Sequence, residues 1–286
     1  MRNTVVFAVV LVAVIGSVAA AQEVKVATKT TGLTNPLAIR IMNYGKYQND
    51  AWTHLPSLGV HYLFLAVPAP DQVAAVKKRL AEHHLRPLVL RGDADLGRET
   101  SVDELAGQLA VCENMGVKYM FLSPKHTGAS KEVACERLRR VGDIAKKHSV
   151  TVVLETHPDL GVNAAAHLET MRRINHPNVR VNFDTGNITF YNKGTDAVTE
   201  LKKIIDYVAT VELKDHNGQY EVWNFPVIGT GVVAFPAILK ILEKHHFRGP
   251  ITMEVEGVQG VQMDEAQTKH YIAGSAIYIQ SLGNFE

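Results

Sequence analysis

The residues best suited to chemistry in this 286-residue chain stand at the ends of four apolar runs in its second half. These runs read "TVVLETH", "VRVNFDTGN", "VATVELKDHNG" and "PITMEVEG". Side chains two apart on a β-strand share a face, so each run can present a carboxylate on one side. The charged residues at the four ends are Glu155 and His157, Asp184, Glu212 and Lys214, and Glu254 and Glu256.

Carboxylates gathered in one cavity repel one another unless some are protonated or an opposite charge is bound. A divalent cation supplies that charge, and oxygen ligands suit Mg²⁺ or Mn²⁺. The alternative is that these carboxylates face different helices and form surface ion pairs. Which alternative holds depends on whether the four runs end at the same place.

The runs belong to a longer series of apolar, β-rich stretches, each followed by an amphipathic segment with helical spacing. Near-continuous apolar strands that alternate with helices indicate a parallel sheet covered on both faces. Eight such units in roughly 250 residues predict a (β/α)8 TIM barrel, in which catalytic groups lie at the C-terminal ends of the strands. The alternative fold is an open, doubly wound sheet. Such a sheet would have a glycine-rich turn after its first strand, and "LAIRIMNYGKYQND" has none. The predicted strands begin near Leu37, Val60, Arg86, Val117, Thr151, Val179, Val208 and Pro250.

No low-complexity linker divides the chain, so the barrel is predicted to be one domain spanning residues 37–286, after an extended lead-in at 22–36. Within it, Ser101 and Glu104 have the spacing of a capping box at the start of the helix "SVDELAGQLAVCENMG".

The ordered set "VVLETHPDLG", "VRVNFDTGN", "VELKDHNG", "VIGTGVVAFPAIL" and "GPITMEVEG" resembles the sugar phosphate isomerase/epimerase group with the xylose isomerase-like barrel. The resemblance is strong from about residue 151 to 257 and only architectural before that. It implies one divalent metal held by a Glu, an Asp, a His and a second Glu from four consecutive strands. Carried over by position, three of these are Glu155, Asp184 and Glu254, and the two glutamates double as the acid/base pair.

The fourth position departs from the family pattern, because "VELKD" has Glu212 where most members have His. In one interpretation Glu212 replaces the imidazole in an all-carboxylate site that favours Mg²⁺ or Mn²⁺ over Zn²⁺. In a second, His216 takes over from beyond the strand, which requires the chain to fold back. In a third, the site has lost its metal.

The resemblance implies a sugar isomerase or epimerase that moves a proton next to a carbonyl through an enediolate, with no organic cofactor. A small sugar or keto-sugar is the expected substrate. Lys214 and His157 would offset charge or polarise a substrate oxygen, and Asn187 either contacts substrate or caps the next helix. The same first step followed by loss of a leaving group gives a keto-sugar lyase or dehydratase. A non-catalytic exported sugar-binding barrel is a further alternative.

The first 21 residues read as a secretory signal peptide, with Arg2, an apolar core and an A-x-A site that ends at Ala21. An uncleaved membrane anchor is the alternative, but the apolar run is short for a bilayer span. We therefore expect export to the periplasm or the medium, with no stable membrane insertion after cleavage.

Composition excludes some classes of function. The chain is 46% hydrophobic and 21% charged with a net charge of +1, so no basic excess points to nucleic acid. A homo-oligomer remains open. The two cysteines, Cys112 and Cys135, lie in segments with helical spacing and are interpreted as buried thiols, although an oxidising compartment would allow a disulfide.

Overall fold

The computed structural model describes residues 29–286, and its central feature is a closed barrel of eight parallel strands. The barrel order is β1-β2-β3-β4-β5-β6-β7-β9, and β9 pairs with β1 to close it. The (β/α)8 prediction is therefore confirmed, and each barrel strand lies within or beside a predicted run. The strands are β1 (Leu37–Arg40), β2 (Tyr62–Ala66), β3 (Arg86–Arg91), β4 (Tyr119–Leu122), β5 (Thr151–Glu155), β6 (Val179–Asp184), β7 (Val208–Leu213), β8 (Asn224–Phe225), β9 (Ile251–Met253) and β10 (Gly257–Val258).

Helices connect the barrel strands and cover their outer face with apolar side chains. The capping box predicted for α3 is wrong, because Thr100 occupies the N-cap position and Ser101 is the first helical residue. The Thr100 hydroxyl instead donates to Glu104 Oε1 at 2.6 Å. The helices are α1 (Ala51–Ser57), α2 (Val73–Glu82), α3 (Ser101–Asn114), α4 (Lys131–Lys147), α5 (Ala164–Ile174), α6 (Thr185–Tyr191), α7 (Ala197–Ile204), α8 (Phe235–Lys244) and α9 (Glu265–Leu282).

The interior of the barrel is filled by side chains and is separate from the larger core between strands and helices. Phe64, Val89, Phe121 and Val153 form this inner cluster, and the Phe64 and Phe121 rings lie 5.3 Å apart. The cluster makes an apolar floor beneath the C-terminal ends of the strands.

A small antiparallel sheet lies outside the barrel, where β8 pairs with β10. It joins the segment after β7 to the segment after β9, so Trp223 and Phe225 are fixed near the ends of both strands. The sequence analysis did not predict this sheet.

The described part of the lead-in packs against the C-terminus, since the amides of Thr30 and Thr31 donate to the carbonyl of Leu282. The predicted signal peptide lies outside the described residues. Cys112 and Cys135 are both buried free thiols. Among residues 29–286, no helix is both long enough and apolar enough to span a bilayer.

Candidate active site

Four carboxylates meet at the C-terminal ends of neighbouring strands. Glu155 ends β5, Asp184 ends β6, Glu212 lies near the end of β7 and Glu254 follows β9 directly. Each offers one oxygen, and the four oxygens all lie within 4.8 Å of one another. All four side chains are buried. The structure thus brings together the four residues that the sequence analysis proposed as metal ligands; their role as ligands stays a prediction.

The cluster of four carboxylates has oxygen atoms that the protein leaves available to a cation. Asp184 Oδ1 caps α6 by accepting from the amides of Gly186 and Asn187, each at 2.9 Å. Its other oxygen, Oδ2, is buried with no hydrogen-bond partner. The described residues also offer the Glu155 carboxylate no hydrogen bond. A buried carboxylate oxygen that accepts no hydrogen bond, and whose basic neighbour Lys214 Nζ is 4.0 Å away, fits a bound hard cation such as Mg²⁺ or Mn²⁺.

Two buried basic residues already compensate part of the negative charge. Arg40, the last residue of β1, donates to Glu212 through Nε and Nη2 and to Glu254 through Nη1. Lys214 Nζ lies 3.0 Å from Glu254 Oε2 and forms a second ion pair with Glu256. With Glu256 there are five carboxylates against two cations, so three negative charges are uncompensated when all groups are ionised.

Burial and mutual repulsion disturb the titration of these groups. Burial raises the pKa of Asp184 well above its ordinary value, and the neighbouring glutamates add to the effect of burial. Burial also raises the pKa of Glu212 against the opposing effect of Arg40. The pKa of Glu254 is lowered despite burial, because Arg40 and Lys214 both stabilise its charged form. Arg40 and Lys214 thus favour the ionised form of Glu254.

Of the three residues predicted to bind substrate, two are buried and one is partly exposed. Lys214 and Asn187 are buried, and Lys214 Nζ donates to Asn187 Oδ1 at 3.1 Å while Asn187 Nδ2 donates to the carbonyl of Thr156. Both the oxygen and the nitrogen of the Asn187 side-chain amide are thus engaged. Asn187 does not cap α6, because Asp184 is the N-cap of that helix. His157 is about one-third exposed and contacts Asp159 Oδ2 through Nδ1 at 3.2 Å.

His216, the alternative to Glu212, is turned away from the carboxylates. Its Nδ1 contacts the Thr189 hydroxyl at 3.0 Å, and its Nε2 lies 2.9 Å from the carbonyl of Val222. Both ring nitrogens are therefore engaged in fixing the segment after β7. The group of potential metal ligands at the mouth of the barrel contains Glu212 and not His216.

A cavity of about 740 Å³ opens above the cluster. Glu254 belongs to the cluster and also lines the cavity, beside Arg40 and Glu256, so the cavity reaches the carboxylates at Glu254. Trp223 contributes a half-exposed aromatic face, and Lys214 Nζ lies 4.2 Å from the centre of the nearby Phe225 ring. A mouth with aromatic, cationic and carboxylate walls suits a polar ring-shaped ligand.

Sequence reasoning missed Arg40, although it was visible as the lone basic residue at the end of "LAIR". Considering the charged residue at the end of the first strand, as was done for the four late strands, would have identified Arg40. The backbone amides of the glycine loop "IGTGVV" are occupied within the protein. The Asp215 carboxylate accepts from the amides of Gly229, Gly231 and Val233.

The barrel and its polar mouth define a TIM-barrel protein with a carboxylate centre at the C-terminal ends of its strands. Residues 54–277 match the xylose isomerase-like TIM barrel family, which is most of the chain. The chain therefore belongs to that family.

The curated proteins to which this chain is similar include several inosose dehydratases. The inosose dehydratase of Histophilus somni is 28% identical over 147 residues, covering 46% of this chain and 49% of that enzyme. The chain thus spans about half the length of this curated relative.

Two solved structures share the fold. A xylose isomerase domain protein from Planctomyces limnophilus has a TM-score of 0.69 and 20% identity, covering 87% of this chain and 97% of that one. The D-allulose 3-epimerase of Methylomonas sp., solved with D-allulose, has a TM-score of 0.67 and 18% identity, covering 89% and 99%.

Proposed function

We propose that this protein is a divalent-metal-dependent sugar isomerase or epimerase that moves a proton on the carbon next to a carbonyl. One observation carries the proposal: carboxylates from four barrel strands converge in a buried cluster beside a polar cavity, in a member of the xylose isomerase-like family. A sugar offers the vicinal oxygens and the acidic C–H that such a site requires.

The metal would be held by carboxylates of this cluster, with Mn²⁺ or Mg²⁺ favoured because every available donor is an oxygen. When bound, it would supply positive charge that polarises the substrate oxygens and favours enediolate character. Asp184 Oδ2, which accepts no hydrogen bond, is the chain's own feature that best fits such an ion.

Proton transfer falls to two glutamates in different surroundings. Glu155 has no hydrogen-bond partner among the described residues, so its carboxylate is free to accept a proton from carbon. Glu254 is held between Arg40 and Lys214, and the Lys214 ammonium donates to Glu254 Oε2 with Nζ at 3.0 Å. A substrate in contact with both would lose a proton to Glu155 and regain one from the Lys214 ammonium beside Glu254; exchange with solvent would then restore both groups.

A dehydratase is the second candidate, because the curated relatives include inosose dehydratase. Here Glu155 would take the proton from carbon, the neighbouring C–O bond would break, and the leaving hydroxyl would depart as water with a proton from Lys214. Lys214 can fill that role because it stays charged: burial alone would lower its pKa, but the neighbouring Glu254, Asp184 and Glu256 raise it.

Proton exchange in D₂O tests the proposal and separates the two reactions. The Mn²⁺-loaded protein is incubated with ketohexoses, a keto-glucoside and a keto-cyclitol, and the sugars are followed by NMR and mass spectrometry. We expect deuterium on the carbon next to the carbonyl and an isomer of the same composition. A product lighter by one water would favour the dehydratase. No exchange into any of these compounds would contradict both.

We also propose that residues 1–21 direct export and are removed. The N-terminus of protein recovered from the periplasm or medium should then be Gln22. Protein that stays in the cytoplasm with Met1 intact would contradict this.

A further inference from the structure

Glu212, at the position where the family pattern has His, is saturated with hydrogen bonds from the protein. Its Oε1 accepts from Arg40 Nε and from the Thr252 hydroxyl, the latter at 3.3 Å. Its Oε2 accepts from Arg40 Nη2 and from Asn182 Nδ2, the latter at 3.3 Å. A carboxylate has about four lone-pair sites, so no site is left over. Asn182 is itself oriented, because its Oδ1 accepts from the Thr210 hydroxyl at 2.6 Å.

The partner of Glu212 is equally fixed. The Arg40 side chain is buried, and its Cζ lies 4.5 Å from the ring centres of both Phe64 and Phe121. These rings form the floor of the barrel, so the guanidinium rests on two aromatic faces while the Glu212 carboxylate accepts from two of its N–H groups. Its remaining in-plane contact is to Glu254 Oε1 through Nη1.

The other carboxylates of the cluster differ from Glu212. Asp184 Oδ2 has no hydrogen-bond partner, and Glu155 accepts none from the described residues. Glu254 accepts one bond at each oxygen, from Arg40 and Lys214, and keeps a lone pair at each. Three carboxylates with free lone pairs are enough for a hard divalent cation that completes its shell with water or substrate.

Building on the proposed function, we propose that Glu212 anchors Arg40 and is not a metal ligand, so that a divalent cation would be held by Glu155, Asp184 and Glu254. The His-to-Glu change then exchanges a ligand for an ion pair. Arg40 becomes a positioning residue that aligns Glu254. Two of its five N–H groups are engaged by none of the described residues, and the side chain lines the cavity.

The test compares two double variants that have lost the same formal charges. Arg40→Met/Glu212→Gln and Arg40→Met/Asp184→Asn each lose the arginine and one carboxylate, so overall charge cannot explain a difference between them. Mn²⁺ binding to each, and to the wild-type protein, is measured by calorimetry in the absence of any sugar. Circular dichroism checks that each variant is folded. If either fails to fold, both comparisons are repeated with Arg40→Lys in place of Arg40→Met.

We expect Arg40→Met/Glu212→Gln to bind Mn²⁺ at least about tenfold more tightly than Arg40→Met/Asp184→Asn, because only the second has lost a ligand. The single variant Glu212→Gln should bind more weakly than the first double variant, since it leaves an uncompensated Arg40 beside the ion. Equal affinities for the two double variants, or tighter binding by the Asp184 variant, would overturn the assignment. A wild-type protein that binds no Mn²⁺ would instead overturn the proposed metal-dependent function, and this ligand set with it.

Discussion

Replacing Asp215 by Asn should loosen the segment that crosses the barrel mouth between β7 and α8. The Asp215 carboxylate accepts hydrogen bonds from four backbone amides of this segment at distances between 2.8 and 3.2 Å. Oδ1 accepts from His216 and Val233, and Oδ2 accepts from Gly229 and Gly231. One carboxylate thus holds the start and the end of the segment together.

An Asn side chain has one carbonyl oxygen, so it can serve only one of these two pairs, and its NH₂ group faces the donors of the other pair. A buried N–H left without an acceptor costs about 1–3 kcal/mol. Because two of the four bonds are only partly buried, we expect a loss of about 2–4 kcal/mol in the free energy of unfolding. That corresponds to a fall in Tm of roughly 3–7 °C for a chain of this size.

The matched control is Asp196→Asn. Asp196 is exposed at the N-cap of α7 and accepts from the amide of Thr199 at 2.9 Å. Asn caps a helix about as well as Asp, so this variant should melt within a degree or two of the wild type. Both are measured by thermal unfolding followed by circular dichroism. Equal melting temperatures for the two variants would refute the reasoning.

Three further predictions concern the site, the floor of the barrel and acid stability. Glu155→Gln should lower turnover of any identified substrate by about 10²–10⁴-fold while leaving Tm nearly unchanged, because it removes a proton acceptor that has no internal partner; full activity would contradict its role. Phe121→Ala should lower the free energy of unfolding, measured in urea, by about 3–5 kcal/mol, since the ring is fully buried against Phe64 and Arg40. Val133 is exposed, so Val133→Ala is the control, and an equally small loss for both variants would be inconsistent with this packing. Burial lowers the pKa of His167 to about 3, so its contribution to stability is complete above about pH 6.5 and is lost as the pH falls toward 3. The free energy of unfolding should then drop by about 2 kcal/mol between pH 6.5 and 5, and His167→Gln should flatten that decline in urea titrations.

The barrel was predictable because its strands are buried on both faces and appear as apolar, β-branched runs. The meeting of the carboxylates was predictable for a related reason. Glu155, Asp184 and Glu254 stand at strand ends, and the C-terminal ends of barrel strands share one rim.

What the sequence could not supply was the pairing of side chains across the barrel. Arg40 and Glu212 are 172 positions apart, and only closure of β1 against β9 brings them together. The sequence alone therefore did not reveal Arg40 as the partner of Glu212. The β8–β10 sheet was missed because each strand has two residues, which is too short for any periodic signal. The prediction of a capping box at Ser101 was wrong because Thr100, a residue type equally suited to the N-cap position, occupies it.

The most direct test of the account is the metal content of the mature protein, purified without chelators and measured by elemental analysis beside the Asp184→Asn variant. We predict one equivalent of Mn, Mg or a similar divalent ion in the wild-type protein and its loss from the variant. A wild-type protein that holds no divalent ion even after incubation with Mn²⁺ would contradict the claim that these carboxylates form a metal centre.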